Sequence, residues 1–229
     1  MRIVPRPWTL IDRVETPDGP LELRQREPDG FIIMSAGRVL MSSTHTRSET
    51  DLATLSCAGL KSATKHPQVL IGGAGLGYTL RAALDVLPAS ASVTVAELNP
   101  VIVGWCRGPL AVLTDSAIDD PRTNVFVGDV MAQVRARRRS RGSWDAIVID
   151  LYLGPTNAPS EERHPLYGAS AVADVYGALA PGGTYAVWGE EPSSRFENRL
   201  KRVGFEVSQK RSQGRGPHHV IFLARRPRA

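Results

Sequence analysis

Gly72-Gly73-Ala74-Gly75-Leu76-Gly77-Tyr78 is where this 229-residue chain most plainly offers a ligand site. The stretch follows the apolar run Val69-Leu70-Ile71 and precedes a helical pattern, so it reads as a side-chain-poor turn where a ligand can approach the backbone. Counted from Gly73, the third glycine of a dinucleotide fingerprint arrives one place early, and the G-x-G-x-G spacing suits a nucleoside instead. Close helix packing would use the same glycines. Glu97 ends the next strand, where a carboxylate can accept from both hydroxyls of a ribose or cap the helix after Pro100. Gly128-Asp129 follows the third strand; the acid would face the exocyclic amine of an adenine, or cap the next helix. Asp150 ends the fourth, Ala146-Ile147-Val148-Ile149, where it could serve as a base, orient an amine or brace a loop turn. Such elements at the carboxyl ends of consecutive strands converge on one crevice.

Beyond Asp150, Leu151 to Pro165 is the only long irregular stretch, and it is expected to act as a lid over the site. Tyr152, His164 and Tyr167 lie in or beside it, and Pro155, Pro159 and Pro165 stiffen it. His164 is its one histidine and a candidate general base, although a lone loop histidine can simply be exposed.

The elements that must hold these residues alternate strand and helix. Apolar strands begin at Val69, Val93, Val125, Ala146, Thr184, Phe205 and Val220, with helices over Thr79 to Val86, Val101 to Trp105, Val130 to Arg138, Ala169 to Leu179 and Ser194 to Val203. Near-continuous apolar strands separated by helices predict an α/β fold, a mostly parallel sheet covered on both faces. Before it, Leu21 to Arg26 alternates in period two, and Phe31 to Met34 and Arg38 to Met41 follow turns, predicting a strand-and-hairpin region over 1–45 ahead of a ligand-binding domain over 46–229. Ser48 is expected to cap a helix over Glu49 to Lys61 with Leu52, Leu55 and Leu60 on its buried stripe.

Lys and Arg number 28 against 23 Asp and Glu, a net charge of +5, and 42% hydrophobic residues suffice for a core. Disordered, collagen-like and coiled-coil classes are thereby excluded. Cys57 and Cys106 are expected as buried thiols, with no zinc-ligand spacing around them. No apolar run is long enough for a bilayer and Met1 to Leu10 lacks a signal-like apolar core, so a cytoplasmic protein without a membrane partner is expected. Arg135, Arg137, Arg138, Arg139 and Arg141 end a helix, where they suit its negative pole and read as a solvated face rather than a nucleic-acid surface. His218-His219 alternate in direction along a strand and are not expected to share a metal, and no metal site is expected elsewhere.

At these residues the chain resembles the spermidine synthase-like branch of the class I S-adenosylmethionine-dependent methyltransferase superfamily. The resemblance runs from about Thr16 to Leu223, strongest over Val69 to Arg81, Ala96-Glu97-Leu98-Asn99-Pro100, Asp119 to Arg122, Gly128-Asp129-Val130 and Leu179 to Gly183. Arg47-Ser48-Glu49 looks like the junction helix after that family's small β domain. The resemblance implies a Rossmann-like fold and S-adenosyl-L-methionine, or its decarboxylated form, held by Gly73, Gly75, Gly77, Glu97, Leu98, Gly128, Asp129 and Asp150. Asp150, Tyr152 and His164 would carry catalysis; Tyr152, Tyr167 and Glu49 would hold a small-molecule acceptor. Relatives often form homodimers. Aminopropyltransferases of this branch carry an acid in the glycine loop and a D-x-x-D pair after the fourth strand; here those positions are Leu76 and, after Asp150, Leu153. Their junction-helix histidine aligns loosely with Thr54.

Because a dication leaves water at a cost that several carboxylates must offset, losing two acids points toward methyl transfer to an N, O or C nucleophile as the leading expectation. The alternative is cleavage of the propyl-side C–S bond, by aminopropyl transfer to an amine or by intramolecular attack, with release of methylthioadenosine. A non-catalytic nucleoside-binding module and a nucleic-acid methylase are two further readings.

Overall fold

The computed structural model describes residues 7–17, 19–27, 30–156, 163–212 and 219–228; Pro159 and His218 lie outside that set. Period-two alternation at the start of the chain builds an antiparallel meander of β1 (Thr9–Thr16), β2 (Gly19–Arg26), β3 (Gly30–Ser35) and β4 (Arg38–Ser42). Leu23 pairs with Ile33 across it, and Leu21, Leu23, Phe31 and Ile33 turn one apolar face inward. β1, which no motif announced, is the exposed edge strand.

α1 (Arg47–Cys57) and the one-turn α2 (Leu60–Ala63) replace the single helix expected over Glu49 to Lys61. Gly59 stands between them at φ +82°, a left-handed conformation that interrupts the helix. The cap is Thr46, not Ser48, which sits inside the first turn. Leu55 is exposed, because the buried stripe runs through Ser48, Glu49, Leu52, Ala53, Ser56 and Cys57.

The remaining chain alternates β5 (Gln68–Gly72), α3 (Tyr78–Val86), β6 (Ser92–Glu97), α4 (Pro100–Arg107), β7 (Thr123–Val127), α5 (Val130–Arg139), β8 (Trp144–Ile149), α6 (Ala169–Ala178), β9 (Leu179–Gly189), α7 (Ser194–Val203), β10 (Glu206–Arg211) and β11 (Val220–Arg225). The sheet order is β10-β11-β9-β8-β5-β6-β7, and only the pairings made by β11 are antiparallel. Successive side chains of a strand face opposite ways. Val69 and Ile71 therefore join α1, α3 and α4 on one face, while Leu70, Ile147 and Ile149 join α5, α6 and α7 on the other. This Rossmann-like arrangement carries the N-terminal meander expected of it, and the meander's inner face belongs to the same apolar cluster as Leu52, Ala74 and Leu80. Trp105 Nε1 of α4 adds a polar tie, donating to Asp12 of β1 at 2.7 Å.

The arginine run is exposed as expected at Arg135, Arg138, Arg139 and Arg141, with Arg137 half-buried, and three of its members also find partners. Arg135 and Arg138 both pair with Asp174 of α6. Arg137 lies 4.7 Å over the Trp144 ring and donates to Ser143 and Gln68. Both cysteines are buried free thiols, with burial pushing Cys57 up to about 11. Among the described residues no helix is long and apolar enough to cross a membrane.

Because Leu23 is fully buried in a cluster common to the meander and the large sheet, Leu23→Ala should cost about 2–5 kcal/mol. Denaturant unfolding followed by tryptophan fluorescence and by far-UV dichroism should still give one transition. A separate early transition of the N-terminal strands would show that the two sheets do not share a core.

Candidate active site

Backbone hydrogen bonds extend the large sheet one step past its strands, and the candidate residues lie on that step. Gly73 N–H donates to the Ala96 carbonyl (2.9 Å), Gly128 N–H to that of Glu97 (2.8 Å) and Asp150 N–H to that of Gly72 (2.9 Å). The chain leaves β5 for β6 and β7 on one side and returns as β8 on the other, so the crevice opens where β5 and β8 part. Gly73, at φ +97°, lies so close to the Asp150 backbone that a Cβ would run into its carbonyl oxygen. A Cβ on Gly75, at φ +50°, would instead press on the flexible end of the Met41 side chain of β4. Cys106 Sγ donates to the Gly75 carbonyl from below at 3.3 Å, and burial followed by the Glu97 charge pushes this thiol up to about 12.

Glu97 is buried and holds two loops at once. Its Oε2 accepts from Ala74 N–H and its Oε1 from Asn99 N–H, each at 2.9 Å. A carboxylate offers about four acceptor positions, so each oxygen can still take a hydroxyl. Asn99, rather than Glu97, caps α4.

Two chambers meet at this crest. The larger, about 570 Å³, runs beneath the meander along Gly73, Gly75, Glu97 and Leu98. The smaller, about 220 Å³, is lined by Glu49, Ser48, His45, Trp188 and His219. Leu40, Met41, Asp150, Leu151 and Tyr152 line both. Asp150 Oδ2 accepts from Thr79 Oγ1 at 2.5 Å. Burial, and next the charge of Glu49, raise its carboxyl to about 7 against the opposing Thr79 hydrogen bond.

Several expected residues stand elsewhere. Gly77 opens α3 at φ +87° and is not on the wall of the larger chamber; neither are Gly128 and Asp129. Asp129 Oδ1 accepts from Met131 N–H, so its observed work is to cap α5. His164 lines neither chamber: its Nδ1 accepts from Leu166 N–H at 3.2 Å and its ring stacks on Tyr167 at 5.0 Å. Burial lowers its basicity. Tyr167 is buried behind the site, donating to the Leu153 carbonyl at 2.9 Å, with burial and then the charges of Glu190 and Asp150 holding its phenol protonated. Tyr152, 56% exposed, does reach both chambers.

Sequence reasoning missed His45, Trp188 and the contribution of Ser48, and left His219 without a role. No spacing pattern could find the last, because 171 positions separate it from its partner Ser48. Among the described residues, no group of three or more His, Cys, Asp or Glu is placed to hold a metal ion.

A glycine loop after β5, a buried acid at the end of β6 and a half-buried one after β8, beneath an antiparallel roof, define the fold of the spermidine synthase-like branch of the class I S-adenosylmethionine-dependent methyltransferase superfamily. The chain is 28% identical over 158 residues to a polyamine aminopropyltransferase of Mycobacterium tuberculosis, covering 66% of this chain and 28% of that protein. A polyamine aminopropyltransferase of Sulfolobus acidocaldarius is 29% identical over 125 residues, 55% of this chain and 39% of its own. The chain thus spans well under half the length of these curated relatives. The crystal structure of spermidine synthase from Thermotoga maritima superimposes with a TM-score of 0.72 at 19% identity, over 96% of this chain and 74% of that one. No family model matches the sequence.

These likenesses overturn the leading expectation of methyl transfer and with it the assignment as a methyltransferase. The relatives in sequence are aminopropyltransferases by name, and the structural neighbour is a spermidine synthase. Counting acids at two positions along the chain misled: Leu76 is packed in the core, and a carboxylate from α1, Glu49, faces Asp150 instead.

The Asp150 carboxyl binds its proton more tightly folded than unfolded, so its contribution to stability is full below the ordinary carboxylate range and is lost as pH rises toward 7. Asp150→Asn should remove that slope. Relative to wild type, the variant should gain on the order of 2 kcal/mol between pH 5 and pH 8. Parallel melting-pH curves for the two proteins would show that the folded carboxyl has an ordinary affinity for its proton.

Proposed function

We propose that this chain transfers an aminopropyl group from decarboxylated S-adenosylmethionine to a primary amine, releasing methylthioadenosine. The observation that carries the reading is the meeting of the two chambers at Asp150. One chamber suits a nucleoside, with glycine backbone and a buried carboxylate; the other suits an amine, with two carboxylates among apolar walls. The names of the sequence relatives support the same reading.

In this scheme the ribose hydroxyls of the donor substrate donate to Glu97, whose oxygens are already fixed by Ala74 and Asn99 N–H groups. Leu98 and the glycine loop border the nucleoside. The acceptor nitrogen enters beside Glu49 and Asp150, and Tyr152 covers the junction. An ammonium cannot attack; Asp150, raised toward neutrality, can take its proton near physiological pH. The freed nitrogen lone pair forms a bond to the propyl carbon next to sulfur, and the C–S electrons return to sulfur as the neutral thioether. The protein's contribution is alignment and proton removal, because the sulfonium already supplies electrophile and leaving group. With leucine at 76 and 153, Glu49 and Asp150 are the acids that the described walls offer to the amine.

Incubation with the decarboxylated donor and a panel of linear diamines should yield methylthioadenosine and an aminopropylated amine, both read by mass. The rate should climb with pH and level off above about 7, and Asp150→Asn should lower kcat roughly a hundredfold or more. Absence of methylthioadenosine above the enzyme-free blank for every amine would refute the transfer.

Glu97→Ala should separately weaken methylthioadenosine binding about tenfold or more, since the ribose acceptor and the anchor of the Ala74 and Asn99 N–H groups in two loops are lost together. Calorimetric titration measures this. An unchanged affinity would place the nucleoside away from β6.

A further inference from the structure

Ser48 joins two distant parts of the chain inside the smaller chamber. Its hydroxyl donates to Glu49 Oε2 at 2.6 Å, which uses its one hydrogen. The 3.2 Å contact with His219 Nδ1 therefore has the serine oxygen as acceptor and an imidazole N–H as donor. The chain of donation is directional: His219 Nδ1–H to Ser48 Oγ–H to Glu49 Oε2. All three residues line the chamber, and Ser48 and Glu49 are buried. The imidazole also meets Trp188 edge-on, with centroids 4.7 Å apart.

Glu49 needs such a restraint. It shares a chamber of about 220 Å³ with Asp150, and two carboxylates there repel each other, so a flexible glutamate would turn away from its neighbour. A hydroxyl polarised by a second donor binds an ionised acceptor more strongly than a lone hydroxyl. With Oε2 engaged, Oε1 stays available to a cation. The charged and titratable groups facing His219 are Glu49, Glu190 and His45.

We infer that His219 is a positioning residue for the acceptor: through Ser48 it holds the Glu49 carboxylate against Asp150, so that the two acids grip the amine nitrogen together. The inference rests on the aminopropyl-transfer reading for its substrate, while its geometry is independent of which bond is made. His219 does not itself touch the reacting atoms in this arrangement; its effect reaches the amine through two hydrogen bonds.

Three variants separate hydrogen bonding from packing. Ser48→Ala removes the middle of the chain, His219→Phe keeps a ring against Trp188 without an N–H, and His219→Asn restores a donor near the position of Nδ1. Steady-state kinetics with 1,4-diaminobutane and calorimetry of the same diamine in the presence of methylthioadenosine give two readouts. Ser48→Ala and His219→Phe should each raise KM and Kd for the diamine about tenfold, with kcat and methylthioadenosine affinity within about twofold. His219→Asn should recover most of the loss, and the Ser48→Ala, His219→Phe double variant should be no worse than either single. Wild-type affinity in His219→Phe, or losses that multiply in the double variant, would overturn the inference. So would an equal loss of methylthioadenosine binding, which marks general disruption. Wild-type protein that binds the diamine without turnover removes the transfer reading while the affinities still judge the relay; wild type that binds no amine removes both.

Discussion

Gly73 and Asp150 touch backbone to backbone where β5 and β8 separate, and the site is arranged around that contact. A side chain at 73 would collide with the Asp150 carbonyl, so the loop can close against the neighbouring strand end only as glycine. Once it closes, Asp150 N–H reaches the Gly72 carbonyl, and the start of α3 brings Thr79 to the Asp150 carboxylate. The same closure turns Ala74 N–H toward Glu97. One steric constraint thus sets the position of both acids at the strand ends, Glu97 in the larger chamber and Asp150 where the two chambers meet.

The electrostatics run against folding and in favour of a cation. Asp150 sits among apolar walls next to a second carboxylate, and a single hydroxyl bond does not offset the loss of water. A core built only for stability would place apolar groups here, since buried charge seldom repays its desolvation. Strain of this kind is retained where a ligand relieves it, and an ammonium would supply the missing counter-charge. Thr79 and Ser48 are the donors that keep the pair oriented in the meantime.

What could be read from the sequence was whatever depends on neighbours a few residues away. The glycine loop, the strand ends at Glu97 and Asp150 and the alternation of strands with helices are local patterns, and the fold follows from them. The strands of the N-terminal sheet after the first were legible for the same reason. What failed was long-range or competitive. Ser48 carries the usual signature of a cap, but the chain turns at Thr46 and leaves the hydroxyl to Glu49. His164 and Tyr167 looked like lid residues because they follow an irregular stretch; Tyr167 instead anchors that stretch from the core through the Leu153 carbonyl. The arginine run is exposed as its sequence suggested, but its pairing was not legible, because Asp174, which takes two of its members, lies on another helix. His219 reaches the site from the far end of the chain through the register of β11 against β9, which pairs Val220 with Gly189 and Ile221 with Trp188.

The N-terminal sheet is more than an appendage in this arrangement, because Leu40 and Met41 of β4 roof both chambers. Met41 packs directly over Gly75, and the inner face of the meander shares its apolar cluster with α1, which carries Ser48 and Glu49. A shift of β4 therefore alters the walls of both chambers in the same movement. The crest of the large sheet beneath that roof is held by three backbone hydrogen bonds between neighbouring strands. β4 is itself an edge of its sheet, paired with β3 on one side, while β1 at the opposite edge is tied to α4 through Asp12 and Trp105, so the roof's place over the crest depends on β3 and on the side chains packed beneath it.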